Sequence, residues 1–248
     1  MGSLNTSASK DELTVLVTGF SPFKEQYPVN PSYEIAASLP DYLPADRPKD
    51  PAHQSPASLP PVRIAKLPAA VRTSYAVARE IVPTIWDDAE HTPDFVVHIG
   101  MAGPQLVYQL ERRGHRDGYD KRDVDGRLLG DEERRRDQGD DWVWAGVPEE
   151  LLTDLDVEDV HRRWVERSPK NLNLQISDDA GHYLCDFIYF SSLAHLWKQQ
   201  RPRKVVFLHV PLHPDRQSLE RGRELVLTLI RSIVESEMSK KAKSSAEL

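Results

Sequence analysis

NLNLQISDDAGHYLCDFIYFSSLAHLWKQQ, from Asn171 to Gln200, holds in one run the unit from which the fold can be read. Alternation through Leu172–Ile176 reads as a strand, and the polar group Asp178–Gly181 turns the chain. Beyond the turn the spacing becomes helical, with Cys185, Ile188 or Tyr189, Ser192 and Leu196 on one face. Cys185 is the sole cysteine of the chain and falls in the first turn of that helix. Orphan N–H groups and the positive end of the helix dipole favour a thiolate there. Strand–turn–helix junctions are also where open α/β sheets place their chemistry. A lone cysteine is more often a small buried apolar residue than a nucleophile, so position alone leaves both readings open.

The same alternation of strand and helix continues in both directions. Leu13–Thr18 (LTVLVT) and Phe95–Ile99 (FVVHI) are short apolar runs ending in glycine, as buried parallel strands do. Val62–Leu67, Val107–Arg113 and Lys204–Val210 (KVVFLHV) complete the set of expected strands. Helices are expected at Asn30–Leu39, Ala70–Trp86, Pro148–Val165 and Gln217–Glu237. Such an order predicts an α/β fold: one three-layer α/β/α sandwich with a mostly parallel twisted sheet and helices on both faces. The single domain should run over 13–238, between a flexible leader (1–12) and a frayed tail (239–248). Seven prolines in Pro40–Pro61 predict a surface insertion. The charged run Asp131–Trp142, within a segment of about 127–147, reads as a solvated loop.

Composition narrows the function. With 39 acidic against 32 basic residues, the net charge of −7 argues against a nucleic-acid partner. No apolar run approaches the ~20 residues needed to span a bilayer. One cysteine excludes an internal disulfide and a cysteine-rich zinc site, and with the polar start of the chain predicts a cytoplasmic protein.

Glu111, Cys185 and His209 are all expected at strand or helix ends. Cysteine catalysis needs a base to carry the thiol proton and gains from a third group that fixes the imidazole tautomer. Of nine histidines, His209 follows the cysteine helix at the carboxyl end of a strongly apolar strand. His98 suits a satisfied core histidine better, and His182 has no assigned direction. Glu111 could equally form a plain ion pair with Arg112 or Arg116. Phe20 and Phe23 flank a loop after the first strand, where they either plug the core or wall a small apolar pocket. The loop Gly100–Gly103 is too short to indicate a phosphate site.

Six segments, in order, resemble the pyroglutamyl-peptidase I family of cysteine peptidases, and most nearly its animal-type members. They are VLVTGFSPF (Val15–Phe23), VNPS (Val29–Ser32), HIGMAG (His98–Gly103), LERRGHRDGY (Leu110–Tyr119), ISDDAGHYLCDFIYFSSL (Ile176–Leu193) and FLHVP (Phe207–Pro211). The resemblance implies hydrolysis of the amide after an N-terminal pyroglutamyl (5-oxoproline) residue, with pyroglutamylated peptides as substrates and no metal or cofactor. By the same resemblance Cys185 matches the nucleophile, His209 the general base and acid, and Glu111 the carboxylate that orients it. Phe20 and Phe23 match the aromatics that hold the lactam ring. Tyr183 matches the aromatic position before the nucleophile, and backbone groups near Leu184 would hydrogen-bond the lactam. Met101 stands where bacterial members carry glutamine, and Lys24 replaces a glycine common after the second phenylalanine. The arginine that assists the oxyanion in bacterial members has no assigned counterpart between residues 114 and 126. Two other readings remain: a family member that binds such peptides without turnover, and a nucleoside-processing enzyme of similar architecture.

Overall fold

The structure, a computed structural model, describes residues 12–23, 25–45 and 59–246. The leader up to residue 11, Lys24 and the centre of the Pro-rich insertion (46–58) lie outside the described residues.

In chain order the elements are β1 (Leu13–Thr18), α1 (Pro31–Ser38), β2 (Val62–Lys66), α2 (Tyr75–Trp86), β3 (Phe95–Met101), β4 (Val107–Glu111), β5 (Arg113–His115) and α3 (Asp131–Gln138). There follow β6 (Glu150–Leu152), α4 (Val157–Arg167), β7 (Asn173–Ser177), α5 (Leu184–Lys198), β8 (Val205–Val210) and α6 (Arg216–Ala246). Six strands form one sheet in the order β2-β1-β3-β8-β4-β7. Pairing is parallel except between β8 and β4, so the sheet is mostly parallel, with β4 and β7 running against the other four.

Period-two alternation gives each face of the sheet its own core. Val15, Val17, Val97, Ile99, Leu110, Val206, Leu208 and Val210 pack with residues of α1, α4 and α6. Val96, Val205 and Phe207 pack on the other face with residues of α2 and α5. The expected layered α/β architecture with helices on both faces is therefore present. α5 is buried almost all round, with Phe187, Ile188, Tyr189, Phe190 and Leu193 inaccessible to solvent. It lies between the sheet and the outer segment that carries Trp142 and Trp144.

Several boundaries differ from the sequence reading. The charged run is a helix, α3, followed by a 3-10 turn at Gly139–Asp141, rather than a loop. Acidic Asp131, Glu132 and Glu133 open α3 and Arg135 and Arg136 close it, an order that suits the dipole. No residue of α3 is buried, so the solvated part of the expectation holds. The helix expected from Pro148 instead begins at Val157, where the Asp156 side chain accepts the Asp159 N–H at 3.0 Å. Its expected first turn is taken by β6, which pairs with β5. Val107–Arg113 breaks at Arg112 into β4 and β5. α2 starts at Tyr75, because Val71 is used in a bridge to Phe20. α6 continues through residues 239–246, where fraying was expected. Its lysines and alanine favour helix, and Met238 still packs on the core. Part of the Pro-rich insertion is docked rather than free: Leu43 N–H donates to Val62 O, and Ile64 N–H to Asp41 O, along the outer edge of β2.

Candidate active site

Alternation decides which side chains can meet. On β8, Phe207 and His209 face α5, while Leu208 and Val210 face the other core. Glu111 lies directly opposite Phe207 in the antiparallel register, and Gln109 opposite His209. Glu111 and His209 are therefore diagonal neighbours on one face, a spacing that long side chains can bridge. They do: His209 Nδ1 lies 2.8 Å from Glu111 Oε1, and the carboxylate is fully buried. A carboxylate only accepts, so Nδ1 carries the proton and Nε2 is left free for another partner. Glu111 Oε2 has no hydrogen-bond donor among the described residues, which leaves the imidazole as the partner of this carboxylate. The Tyr189 hydroxyl donates to the Glu111 backbone carbonyl at 3.1 Å and holds the end of β4 against α5.

The third group arrives from α5. Gly181, at φ 78°, takes the left-handed conformation that lets the Asp178–Gly181 turn feed the helix. Tyr183 occupies the N-cap without a side-chain cap hydrogen bond, so N–H groups of the first turn remain available. Cys185, half-buried, follows. Its sulfur sits over Gly100 of β3, the Cα partner of His209: a Cβ built on Gly100 would come within 2.9 Å of Sγ and 2.4 Å of the Phe207 ring. The absent side chain is thus the space that the sulfur uses. Burial works against protonation of His209. The neighbouring Cys185 sulfur, by charge and hydrogen bonding, and then Glu111 outweigh it and push its pKa up to about 10.

The other expected residues surround this group. Phe20 is buried, with its ring centroid 6.5 Å from that of Phe207. Phe23 is half-buried, 6.4 Å from Tyr183 and 6.2 Å from Tyr27 between ring centroids. The Tyr183 hydroxyl donates to the Arg122 carbonyl at 3.0 Å. Leu184 is buried at the first position of α5. The loop aromatics thus divide, Phe20 into the core and Phe23 onto a partly open wall. Arg116 is bound to the Val147 carbonyl at 2.7 Å and to Asp117 and Glu149.

His98 is a satisfied core histidine, as the sequence suggested. Thr18 Oγ1 lies 2.8 Å from its Nδ1 and Ser192 Oγ 2.9 Å from its Nε2, and burial pushes its pKa down to about 3. Sequence reading missed the roles of Gly100 and Phe207; it placed Tyr189 on the Cys185 face as an alternative to Ile188 and gave it no partner. The role of Gly100 requires knowing that β3 and β8 are neighbours.

With this geometry in view, comparison with known proteins is decisive. The profile of the pyroglutamyl peptidase family matches residues 13–236. The chain belongs to the pyroglutamyl peptidase family. Pyroglutamyl-peptidase 1 of Homo sapiens is 30% identical over 197 residues, covering 79% of this chain and 78% of the human protein. Pyrrolidone-carboxylate peptidase of Pyrococcus furiosus is 26% identical over 204 residues, 82% and 83% of the two chains. The solved pyrrolidone carboxyl peptidase of Thermococcus litoralis superposes with a TM-score of 0.69 at 19% identity, covering 92% of this chain and 96% of that one. At that identity the superposition speaks for the fold. The six motif segments all lie within the matched span of the pyroglutamyl peptidase profile, as does every residue of the candidate site.

Proposed function

We propose that this chain is a cysteine-type omega peptidase that hydrolyses the amide bond after an N-terminal pyroglutamyl residue, with Cys185, His209 and Glu111 as its reacting and orienting groups. The observation that carries the reading is one buried imidazole, held by the Glu111 carboxylate at 2.8 Å, whose strand neighbour Gly100 lies under the Cys185 sulfur. With an imidazole to take its proton, the sulfur can act as the nucleophile.

The Cys185 sulfur attacks the pyroglutamyl carbonyl carbon, and negative charge develops on the carbonyl oxygen. We assign the uncapped N–H groups at the start of α5 as its donors; one such donor is typically worth about 3–4 kcal/mol. His209 gives its proton to the departing amine. It then takes a proton from water, which attacks the thioester and restores Cys185. Glu111 keeps the imidazole in one tautomer and stabilises its charge throughout. Side chains and water supply each proton and electron pair in this cycle.

Selectivity for the lactam follows from the wall chemistry. Phe23 and Tyr183 offer apolar surface, with Phe20 and Leu184 packed in the core behind them, and backbone groups near Leu184 serve the polar edge of an uncharged ring. A free α-ammonium would lose hydration there and gain no carboxylate in return. The test is release of fluorophore from a pyroglutamyl amide, with and without prior thiol alkylation. Cleavage that alkylation abolishes supports the reading. Binding without cleavage, or cleavage that survives alkylation, contradicts it.

A further inference from the structure

A second group of heteroatoms lies at the start of the cysteine helix, and the proposed reaction leaves it unused. Asp186, the residue after Cys185, is fully buried. Its Oδ1 accepts the His115 backbone N–H at 3.1 Å, and its Oδ2 lies 3.2 Å from His115 Nδ1. The Tyr119 hydroxyl donates to the same Oδ2 at 3.1 Å and also contacts the His115 carbonyl. His182, just before Tyr183, brings its Nδ1 to 4.0 Å from that oxygen. Its ring centroid stands 5.1 Å from that of His115. One potential ligand atom from each of the three residues lies within 4.8 Å of the other two.

An ion pair between one carboxylate and one imidazole explains Asp186 and His115; the second imidazole stands beside it, with its Nδ1 3.1 Å from the Asp117 carbonyl, a bond it would exchange for an ion. Two imidazoles and a carboxylate drawn from three segments make a donor set for a borderline transition metal. Ca²⁺ and Mg²⁺ would demand a shell of oxygens. Zn²⁺ takes ligands at about 2.0–2.2 Å, which places the ligand atoms of a tetrahedral ion about 3.3 Å apart. The two separations to Asp186 Oδ2, 3.2 and 4.0 Å, bracket that value, and all three ligand atoms lie within 4.8 Å of one another. The longer one involves His182, whose side chain is 45% exposed and would move inward by leaving the Asp117 carbonyl, whereas Asp186 is held. The His115 N–H and the Tyr119 hydroxyl fix the carboxylate as second-layer partners fix metal ligands elsewhere. Three protein ligands leave the fourth position to water or a small anion from the solvent side.

We propose that His115, His182 and Asp186 form a binding site for a divalent transition-metal ion of the Zn²⁺ class, with Tyr119 as its supporting hydrogen-bond donor. An ion there ties the turn before α5 to its first turn and to β5, on either side of Tyr183 and Cys185.

The test uses the full chain carrying Cys185→Ser, which removes a sulfur that would itself take zinc. Equilibrium dialysis against Zn²⁺ should find one bound equivalent. Adding His182→Ala, an exposed position, should weaken binding about 10-fold or more. Zn²⁺ should raise the Tm of the first protein and not of the second. Co²⁺ in place of Zn²⁺ should give the absorption of a four-coordinate nitrogen–oxygen site that His182→Ala abolishes. No stoichiometric uptake by the Cys185→Ser protein, or equal affinity after His182→Ala, overturns the proposal and leaves the cluster as a buried ion pair. Neither result bears on the peptidase reading, which is scored on the unmodified cysteine.

Discussion

His209 Nδ1 and Glu111 Oε1 are 2.8 Å apart although 98 positions of chain separate the two residues. The contact arises from the one antiparallel pairing among the six described strands of the sheet, which sets Glu111 opposite Phe207 and so diagonal to His209. A parallel β4 would run the other way and present its carboxyl end elsewhere. Because the pairing is a property of the backbone, a substitution that keeps the side chain's shape isolates its charge. Glu111→Gln should fold and lose about 10²–10⁴-fold in kcat, since the amide can stabilise neither the tautomer nor the imidazolium. The sign of the pH effect also follows. Burial holds the His209 pKa down, while the Cys185 sulfur and then Glu111 raise it to about 10. Removing the carboxylate's negative charge must lower it, so the alkaline limb of kcat/KM should move to lower pH. An alkaline limb that stays in place would show that Glu111 does not govern the imidazole.

Gly100→Ala tests whether the sulfur's position is set by a missing side chain. The added methyl would meet Phe207 Cζ at 2.4 Å and Cys185 Sγ at 2.9 Å, and neither neighbour is free to retreat from a packed face. Overpacking of this kind costs about 1–3 kcal/mol. The expected result is a lower denaturant midpoint together with a fall in kcat and in the alkylation rate of Cys185. Wild-type stability with wild-type turnover would mean that the sulfur does not rest against Gly100.

Much of this arrangement was legible in the sequence because it depends on short-range pattern. Apolar runs ending in glycine marked β1 and β3, and the switch from period two to period 3.6 at Asp178–Gly181 marked the entry to α5. What the pattern could not carry was pairing. Nothing local in VYQLERR says that β4 runs antiparallel to β8, and it is that direction which joins Glu111 to His209. The misread segments share a cause. Glu150–Leu152 and Val71 have helical neighbours, yet both give their backbone groups to distant partners in β5 and at Phe20. In the charged run, composition suggested solvent exposure correctly. The ion pairs of Asp131 with Arg79 and Arg134, and the stacking of Arg135 on Trp142, favour helix there, and they appear only in three dimensions.

Phe20 and Phe23 were read together as a pair, but their surroundings predict different outcomes. Phe20 is only 3% exposed and belongs to the core beneath α2 and α5. Truncation to alanine should cost about 3–5 kcal/mol. Phe23 is half-buried against Tyr183 and Tyr27, so Phe23→Ala should leave the denaturant midpoint nearly unchanged and raise KM for a pyroglutamyl amide. Unfolding titrations paired with steady-state kinetics separate the two. A large stability loss for Phe23→Ala, or an unchanged KM, would remove it from the substrate wall.

His98 supplies a prediction about acid stability that is independent of catalysis. Its ring is inaccessible, bonded at both nitrogens by the hydroxyls of Thr18 and Ser192, and burial lowers its pKa to about 3. In the unfolded chain the same ring titrates near 6.5. Between those values the unfolded state holds one more proton than the folded state, so stability rises with pH across the interval. The contribution is complete above about 6.5 and is lost as the pH falls toward 3, amounting to a few kcal/mol. Replacing His98 by glutamine removes the titrating group and keeps part of the bonding. At pH 7 the variant should be less stable by about 1–3 kcal/mol, the cost of buried hydroxyls left partly unmet. At pH 4 the wild type forfeits most of its advantage from the neutral ring, and the variant does not. The gap between their denaturant midpoints should therefore narrow or reverse on acidification, and a gap that stays constant from pH 7 to pH 4 would show that His98 is not held neutral.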